Sequence, residues 1–204
     1  MTPPCFVPAL EAIEKALLSR DEPLVVAVDG RCASGKTTLS ALCAQVFPDC
    51  QVFHLDDFFL PFEKRTPQRL STPGGNVDHE RAQRELFFPL SQGKEVTFSR
   101  FDCATGTLEP PRTFPPRRLS VVEGSYSHHP ALAPYSHLRL FLTCSPQVQL
   151  TRLSVRAPEK LRDFQTRWIP LEETYFSNFH IEDHCHLIVD TPTLKRRKLC
   201  DAKG

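Results

Sequence analysis

The chain has 204 residues, of which 40% are hydrophobic and 24% charged, with a formal net charge of +1. That size and composition suit a soluble globular protein of one domain, or one plus a small appendage, with a full core, and the near-zero charge excludes broad electrostatic steering toward nucleic acid or a membrane surface. No apolar run reaches bilayer-spanning length, the start Met1–Pro8 lacks the basic and apolar regions of a secretory leader, and the eight cysteines stand singly without a C-x-x-C, so a reducing cytoplasm is the expected setting.

In chain order, Leu10, Ile13, Ala16 and Leu17 recur at helical spacing and predict an amphipathic packing helix from Ala9 to Arg20. Leu24–Val28 reads as a buried strand. It runs into Gly30-Arg31-Cys32-Ala33-Ser34-Gly35-Lys36-Thr37, which fits G-x-x-x-x-G-K-[ST], and a helix from Thr38 to Phe47 follows. The chemistry of this loop is concrete. Glycines let the backbone curl so that successive N–H groups over residues 30–38 face one phosphate, and the helix adds the positive end of its dipole. Lys36 reaches the β- and γ-phosphates, and the Thr37 hydroxyl can hold Mg²⁺.

A second strand, Gln51–Leu55, delivers Asp56-Asp57-Phe58-Phe59 to its carboxyl end, where ligands sit in open α/β sheets. Two carboxylates there suit a general base and a substrate or metal contact. The stretch from Pro61 to Asn76 reads as a long irregular loop carrying Lys64, Arg65 and Arg69. A helix follows from Asp78 to Leu90. Val96–Cys103 and Thr107–Glu109, joined by Ala104-Thr105-Gly106, predict a hairpin, and Pro110, Pro111, Pro115 and Pro116 mark a connector. The strand Arg117–Val122 ends at Glu123-Gly124, an acidic position suited to orienting Mg²⁺.

Leu138–Cys144 is the next strand, and Ser145-Pro146 opens a helix as N-cap and first-turn proline. Arg152, Arg156, Lys160, Arg162 and Arg167 then suggest a basic lid over a triphosphate. Pro170 marks a helix restarting at Ile169, on which Trp168, Leu171, Tyr175 and Phe179 have core spacing. His186–Asp190 is the last strand. His184-Cys185-His186 lacks a second ligand pair for zinc, and Lys195-Arg196-Arg197-Lys198 is a basic tail.

The order of phosphate loop, Asp56-Asp57-Phe58-Phe59, Arg100-Phe101-Asp102, Val122-Glu123-Gly124 and Arg-rich lid resembles the uridine kinase and phosphoribulokinase family of P-loop small-molecule kinases, over about residues 24–190. The resemblance implies a doubly wound, mostly parallel α/β P-loop NTPase sheet with helices on both faces. One kinase domain would cover residues 1–204, with 61–77 as substrate loop, 96–109 as hairpin insertion and 156–167 as lid. It implies ATP and Mg²⁺, and a small-molecule phosphate acceptor, with no nucleic-acid or membrane partner and homo-oligomerisation left open. Asp56 corresponds to the general base, and Lys36, Arg156 and Arg162 to the groups that neutralise the transferring phosphoryl. Arg152 joins the residue 30–38 loop as a nucleotide contact. Thr37, Glu123 and Asp56 surround the metal, and Asp57, Asn76, Asp78, Arg100 and Asp102 line the acceptor site.

Two departures stand out. No His follows Asp102 in Phe101–Gly106, and the lid reads Arg156-Ala157-Pro158-Glu159-Lys160-Leu161-Arg162 in place of an Arg-Gly-Arg signature. The Asp-Asp-Phe-Phe run and the proline in the lid are also similar to nicotinamide riboside kinases. The expected activity is therefore γ-phosphate transfer to a nucleoside or riboside, with nicotinamide riboside or pantothenate as alternative acceptors. A catalytically weak ATP-binding regulatory protein is the rival of another class. A GTPase would need an Asn-Lys-x-Asp motif, which is absent, and no ABC-type signature marks a coupled motor.

Overall fold

The computed structural model describes residues 2–192, and the basic run Lys195–Lys198 lies outside the described residues. The strands among the described residues are β1 (Leu24–Gly30), β2 (Cys50–His54), β3 (Val96–Phe98), β4 (Phe101–Asp102), β5 (Thr107–Leu108), β6 (Arg112–Phe114), β7 (Leu119–Glu123), β8 (Leu138–Thr143) and β9 (Leu187–Asp190). Five of them form a wholly parallel sheet in the order β2-β7-β1-β8-β9. All seven residues of β1 are buried, which is why its sequence is a continuous apolar run and not an alternating one. Val25 and Ala27 pack on one face with Phe53, Val122 and Phe141; Leu24, Val26 and Val28 pack on the other with Val121, Leu140 and Val189.

Helices α1 (Val7–Leu18) and α2 (Lys36–Val46) cover the second face through Ile13, Leu39 and Cys43. The helix over residues 79–91 and the helix over 161–178 cover the first through Leu86, Phe87, Tyr175 and Phe176. Full burial of a side chain such as Ile13 or Leu39 stabilises by about 1.5–3 kcal/mol. Among the described residues, no helix is long and apolar enough to cross a membrane.

Three local expectations are corrected. The helix does not restart at Ile169: residues 161–178 run on through a π turn, Phe164–Trp168, into Ile169–Asn178. The same device, Gln83–Phe87, precedes Phe88–Ser91 in the 79–91 helix. In both, the wider turn lies just ahead of a proline, Pro170 or Pro89, which has no N–H to donate and would clash with the carbonyl four residues back; widening the turn relieves this without ending the helix.

The hairpin is longer than its sequence suggests. Phe101–Asp102 pairs with Thr107–Leu108 at the tip, but Val96–Phe98 pairs with Arg112–Phe114, inside the proline-marked connector. The prolines flank β6 and leave its three N–H groups free to pair. Third, the 61–77 stretch is not wholly irregular. It holds a 3₁₀ turn, Phe62–Lys64, and a short helix, Pro67–Ser71, capped by Thr66. Arg69 ties it together, donating to the Gly75 and Val77 carbonyls and bidentately to Glu80 at 2.7 Å each, which pulls the Glu80 carboxyl down to about 2.

One buried side chain joins the sheet to the loops above it. Asp29, fully buried at the end of β1, accepts from Gly30 N–H (2.7 Å), Tyr126 N–H (3.1 Å), His128 N–H (2.9 Å) and Tyr175 Oη (2.8 Å). Four donors to a charged acceptor offset the cost of burying it. Removing the one side-chain donor, Tyr175→Phe, is expected to destabilise the protein by about 1.5–3 kcal/mol in urea denaturation. An unchanged unfolding midpoint would show that the hydroxyl is not holding the carboxylate.

Candidate active site

The loop after β1 turns sharply because three of its residues have positive φ: Gly30 at 133°, Ala33 at 60° and Gly35 at 105°. At Gly30 no side chain is possible, since a Cβ would lie 2.0 Å from the Leu142 carbonyl of the neighbouring strand. Gly35 then hands the chain to α2, whose N-terminus points its free N–H groups into the turn. Lys36 curls back over the loop, with Nζ donating to the carbonyls of Gly30 (2.6 Å) and Arg31 (3.1 Å) and to Ser125 Oγ (3.3 Å). The backbone cradle and its lysine fit a bound polyphosphate.

Glu123 closes β7, in register with His54 of β2 and Val28 of β1. It accepts from the Thr37 hydroxyl at 3.1 Å and lies 2.6 Å from His54 Nδ1. That hydrogen bond raises the His54 pKa above its ordinary value, against the opposing pull of burial. The Thr37 and Glu123 oxygens sit side by side and are hard donors of the kind Mg²⁺ takes, with waters completing its shell.

Asp56 lies in a 3₁₀ turn, Leu55–Phe58, directly after β2. Its carboxylate opens to the cleft but protein atoms crowd it from the other sides. That desolvation raises its pKa, the Glu123 charge raises it further, and Lys36 and His54 oppose. Glu172, on the 161–178 helix, is 5% exposed and accepts from Cys32 N–H at 2.9 Å and Ser125 Oγ at 2.7 Å. Burial raises its pKa, and Lys36 is the largest opposing influence.

Lys36, Thr37, Asp56, Glu123, Ser125 and Glu172 line one cleft of about 900 Å³. Of the expected site residues, Cys32, Ala33, Ser34, Gly35, Lys36, Thr37, Thr38, Asp56, Asn76, Glu123, Arg152 and Arg156 are brought together there, joined by Lys160. Arg152 is anchored by the Ala33 carbonyl (2.9 Å) and Thr191 Oγ1 (2.9 Å).

Others are placed elsewhere. The Arg31 side chain points away from the loop, to Glu173 (2.7 Å) and Glu182 (2.9 Å) and over the Phe141 and Phe176 rings. Arg162 is exposed and does not line the cleft; two residues from Phe164, it falls on the opposite side of the helix. Asp78 is buried as the N-cap of the 79–91 helix, accepting from Arg81 N–H at 3.0 Å, with Lys64 3.3 Å away. Asp102 closes the hairpin turn, accepting from Ala104 N–H (2.8 Å) and Thr105 Oγ1 (3.1 Å). Arg100 pairs with Asp57 at 3.2 Å beside the cleft.

Trp168 was expected in the core with Tyr175 and Phe179. It lines the cleft instead, together with Phe164, because the π turn rotates the first part of the helix relative to the rest. Sequence reasoning also passed over Ser125, Tyr126 and Glu172, which carry no local motif, and over Cys5, Phe6 and Thr191, which reach the cleft only through the fold.

No family model matches the chain, and no curated protein matches it. Among solved structures, a possible uridine kinase from Bacillus stearothermophilus is similar with a TM-score of 0.64 at 19% identity, covering 90% of this chain and 100% of that one. D-glycerate 3-kinase from Cryptococcus neoformans var. grubii is similar with a TM-score of 0.54 at 15% identity, covering 80% of this chain and 84% of that one. What is shared at these identities is the fold, an α/β P-loop NTPase sheet of the type these kinases have.

The His54–Glu123 contact has a measurable consequence. In NMR titration the His54 imidazole is expected to titrate above about 6.5. Glu123→Gln should bring it back toward that value. Because the folded pKa is the raised one, the pair's contribution to stability is present in acid and is lost as pH rises through the His54 pKa. A His54 titration unmoved by Glu123→Gln would contradict the pairing.

Proposed function

We propose that the protein is an ATP- and Mg²⁺-dependent kinase that transfers the γ-phosphate to a hydroxyl of a small metabolite. The observation that carries this reading is the meeting, in one cleft, of a phosphate cradle with its lysine, a Thr37–Glu123 oxygen pair, and the Asp56 carboxylate. A loop alone would support nucleotide binding. The added carboxylate, within the electrostatic reach of Lys36, gives the cleft an acceptor side.

The residues divide the task as follows. The residue 30–38 backbone and Lys36 bind and orient the triphosphate. Thr37 and Glu123 would hold Mg²⁺, which when bound neutralises charge on the phosphate oxygens. Asp56 accepts the proton of the acceptor hydroxyl as its oxygen attacks. Its raised pKa makes it a better base than an ordinary carboxylate once ionised. Arg152, Arg156 and Lys160 line the donor side with positive charge, and positioning supplies most of the rate.

For the acceptor, we favour a nucleoside or riboside. Phe59 and Asn76 line the cleft together with Asp56 and supply a flat apolar face beside an amide, as a ring attached to a sugar would need. The two similar structures are named for different hydroxyl acceptors, uridine and D-glycerate, which fits a shared phosphoryl-transfer core with an acceptor end that differs. The 61–77 stretch and the 156–167 segment are assigned as acceptor wall and lid.

The test is ADP formation from ATP in the presence of nucleosides, ribosides, D-glycerate and pantothenate. At least one acceptor should stimulate turnover. Lys36→Ala and Asp56→Asn should each lower that turnover by about two or more orders of magnitude while leaving the fold intact. The acid limb of kcat/KM should lie above the ordinary range of an aspartate, because Asp56 must be ionised to act. Full activity of Asp56→Asn would remove Asp56 from the base role, and tight ATP binding without any acceptor-dependent turnover would make the protein a nucleotide sensor.

A further inference from the structure

The 161–178 helix, here the lid helix because its first turns belong to the proposed lid, grips the phosphate loop with two consecutive carboxylates. Glu173 holds the Arg31 guanidinium from outside, at 2.7 and 3.0 Å. Glu172 reaches inside. It is nearly buried, it takes the Cys32 N–H of the loop at 2.9 Å, and it takes the Ser125 hydroxyl at 2.7 Å, while Ser125 in turn accepts from Lys36 at 3.3 Å. The chemistry proposed above uses neither the Glu172 carboxylate nor its bond to the loop.

Glu172 therefore stands where anions are recognised. A curled loop of N–H groups backed by a lysine is an anion receptor, and a carboxylate is an anion. One N–H cannot serve the carboxylate and a phosphate oxygen together. A negative charge held next to a triphosphate also repels it, and more strongly in a recessed cleft than in open water. The same helix carries Trp168 one turn earlier, lining the cleft, and Tyr175 less than one turn later, bonded to Asp29. Release of Glu172 from the loop would free the segment that bears Trp168 to shift, while Tyr175 and the Glu173–Arg31 pair keep the rest of the helix anchored.

We propose that Glu172 is a positioning residue that acts as an internal anion: it docks the lid helix on the phosphate loop, and a polyphosphate entering the loop displaces it, so that lid position follows loop occupancy. The proposal rests on the reading of this loop as a triphosphate site. It goes further in assigning a residue that opposes binding, and a direction to the effect of removing it.

The chain contains a single tryptophan, Trp168, so its emission reports the lid segment without labelling. The full-length protein is titrated with inorganic tripolyphosphate, which lacks a base and so cannot stack on Trp168, and binding is measured in parallel by calorimetry. In the wild type, tripolyphosphate should shift the Trp168 emission with the affinity that calorimetry gives. Glu172→Gln, which keeps the shape but removes the charge, should bind tripolyphosphate about fivefold or more tightly. Its emission before titration should already lie toward the bound value.

A folded Glu172→Gln protein with unchanged or weaker affinity overturns the proposal. So does wild-type protein that binds tripolyphosphate with no shift in Trp168 emission, a result that needs no variant. Either of these leaves the kinase reading standing. Wild-type protein that binds neither ATP nor tripolyphosphate overturns both.

Discussion

The site depends on the burial of one charge. Asp29 sits at the carboxyl end of the central strand with no exposure, and its two oxygens receive donors from three separate parts of the chain: the start of the phosphate loop, the segment after β7, and the 161–178 helix. An unpaired carboxylate in that place would cost several kcal/mol, so the donors must arrive together. Their arrival fixes where Lys36, Ser125 and Glu172 stand relative to one another. Tyr126 meets this demand with a positive φ of 77°, a strained conformation for a tyrosine that the surrounding bonds hold in place.

Around that anchor the cleft balances opposed charges. Asp56, Glu123 and Glu172 all line the cleft with Lys36; burial raises the pKa values of Asp56 and Glu172, the Glu123 charge raises that of Asp56 further, and Lys36 opposes both. His54 answers Glu123 from the edge strand, and Arg100 answers Asp57. Such an arrangement is poorly suited to stability alone, since apolar packing would serve better. It is suited to binding a polyanion with a cation and to moving a proton, which is the use proposed for it.

The sequence made the phosphate loop and the acidic strand ends legible because their signals are local. A strand, a glycine-bounded turn and a helix follow one another without interruption from Leu24 to Val46, and the acidic residues at the ends of β2 and β7 are marked by the apolar runs before them. The rest of the site was less legible because it depends on facing and on turns. Asp102 looked available but is consumed by its own hairpin turn, and Arg162 looked like a neighbour of Arg156 but emerges on the far side of a helix. Trp168 was turned into the cleft by a π turn that only the consequences of Pro170 explain. Glu172 had no signal at all, since the N–H it holds is 140 residues away. Its partner Ser125 likewise belongs to no motif.

The central claim is that the phosphate loop and Asp56 are two sides of one reaction site. The structure of the protein with a non-hydrolysable ATP analogue and Mg²⁺ tests it most directly. The account predicts the triphosphate on residues 30–38, its terminal phosphate at Lys36 and turned toward Asp56, with space for one acceptor oxygen between them. A terminal phosphate directed away from Asp56, or packed against it without that space, would contradict it.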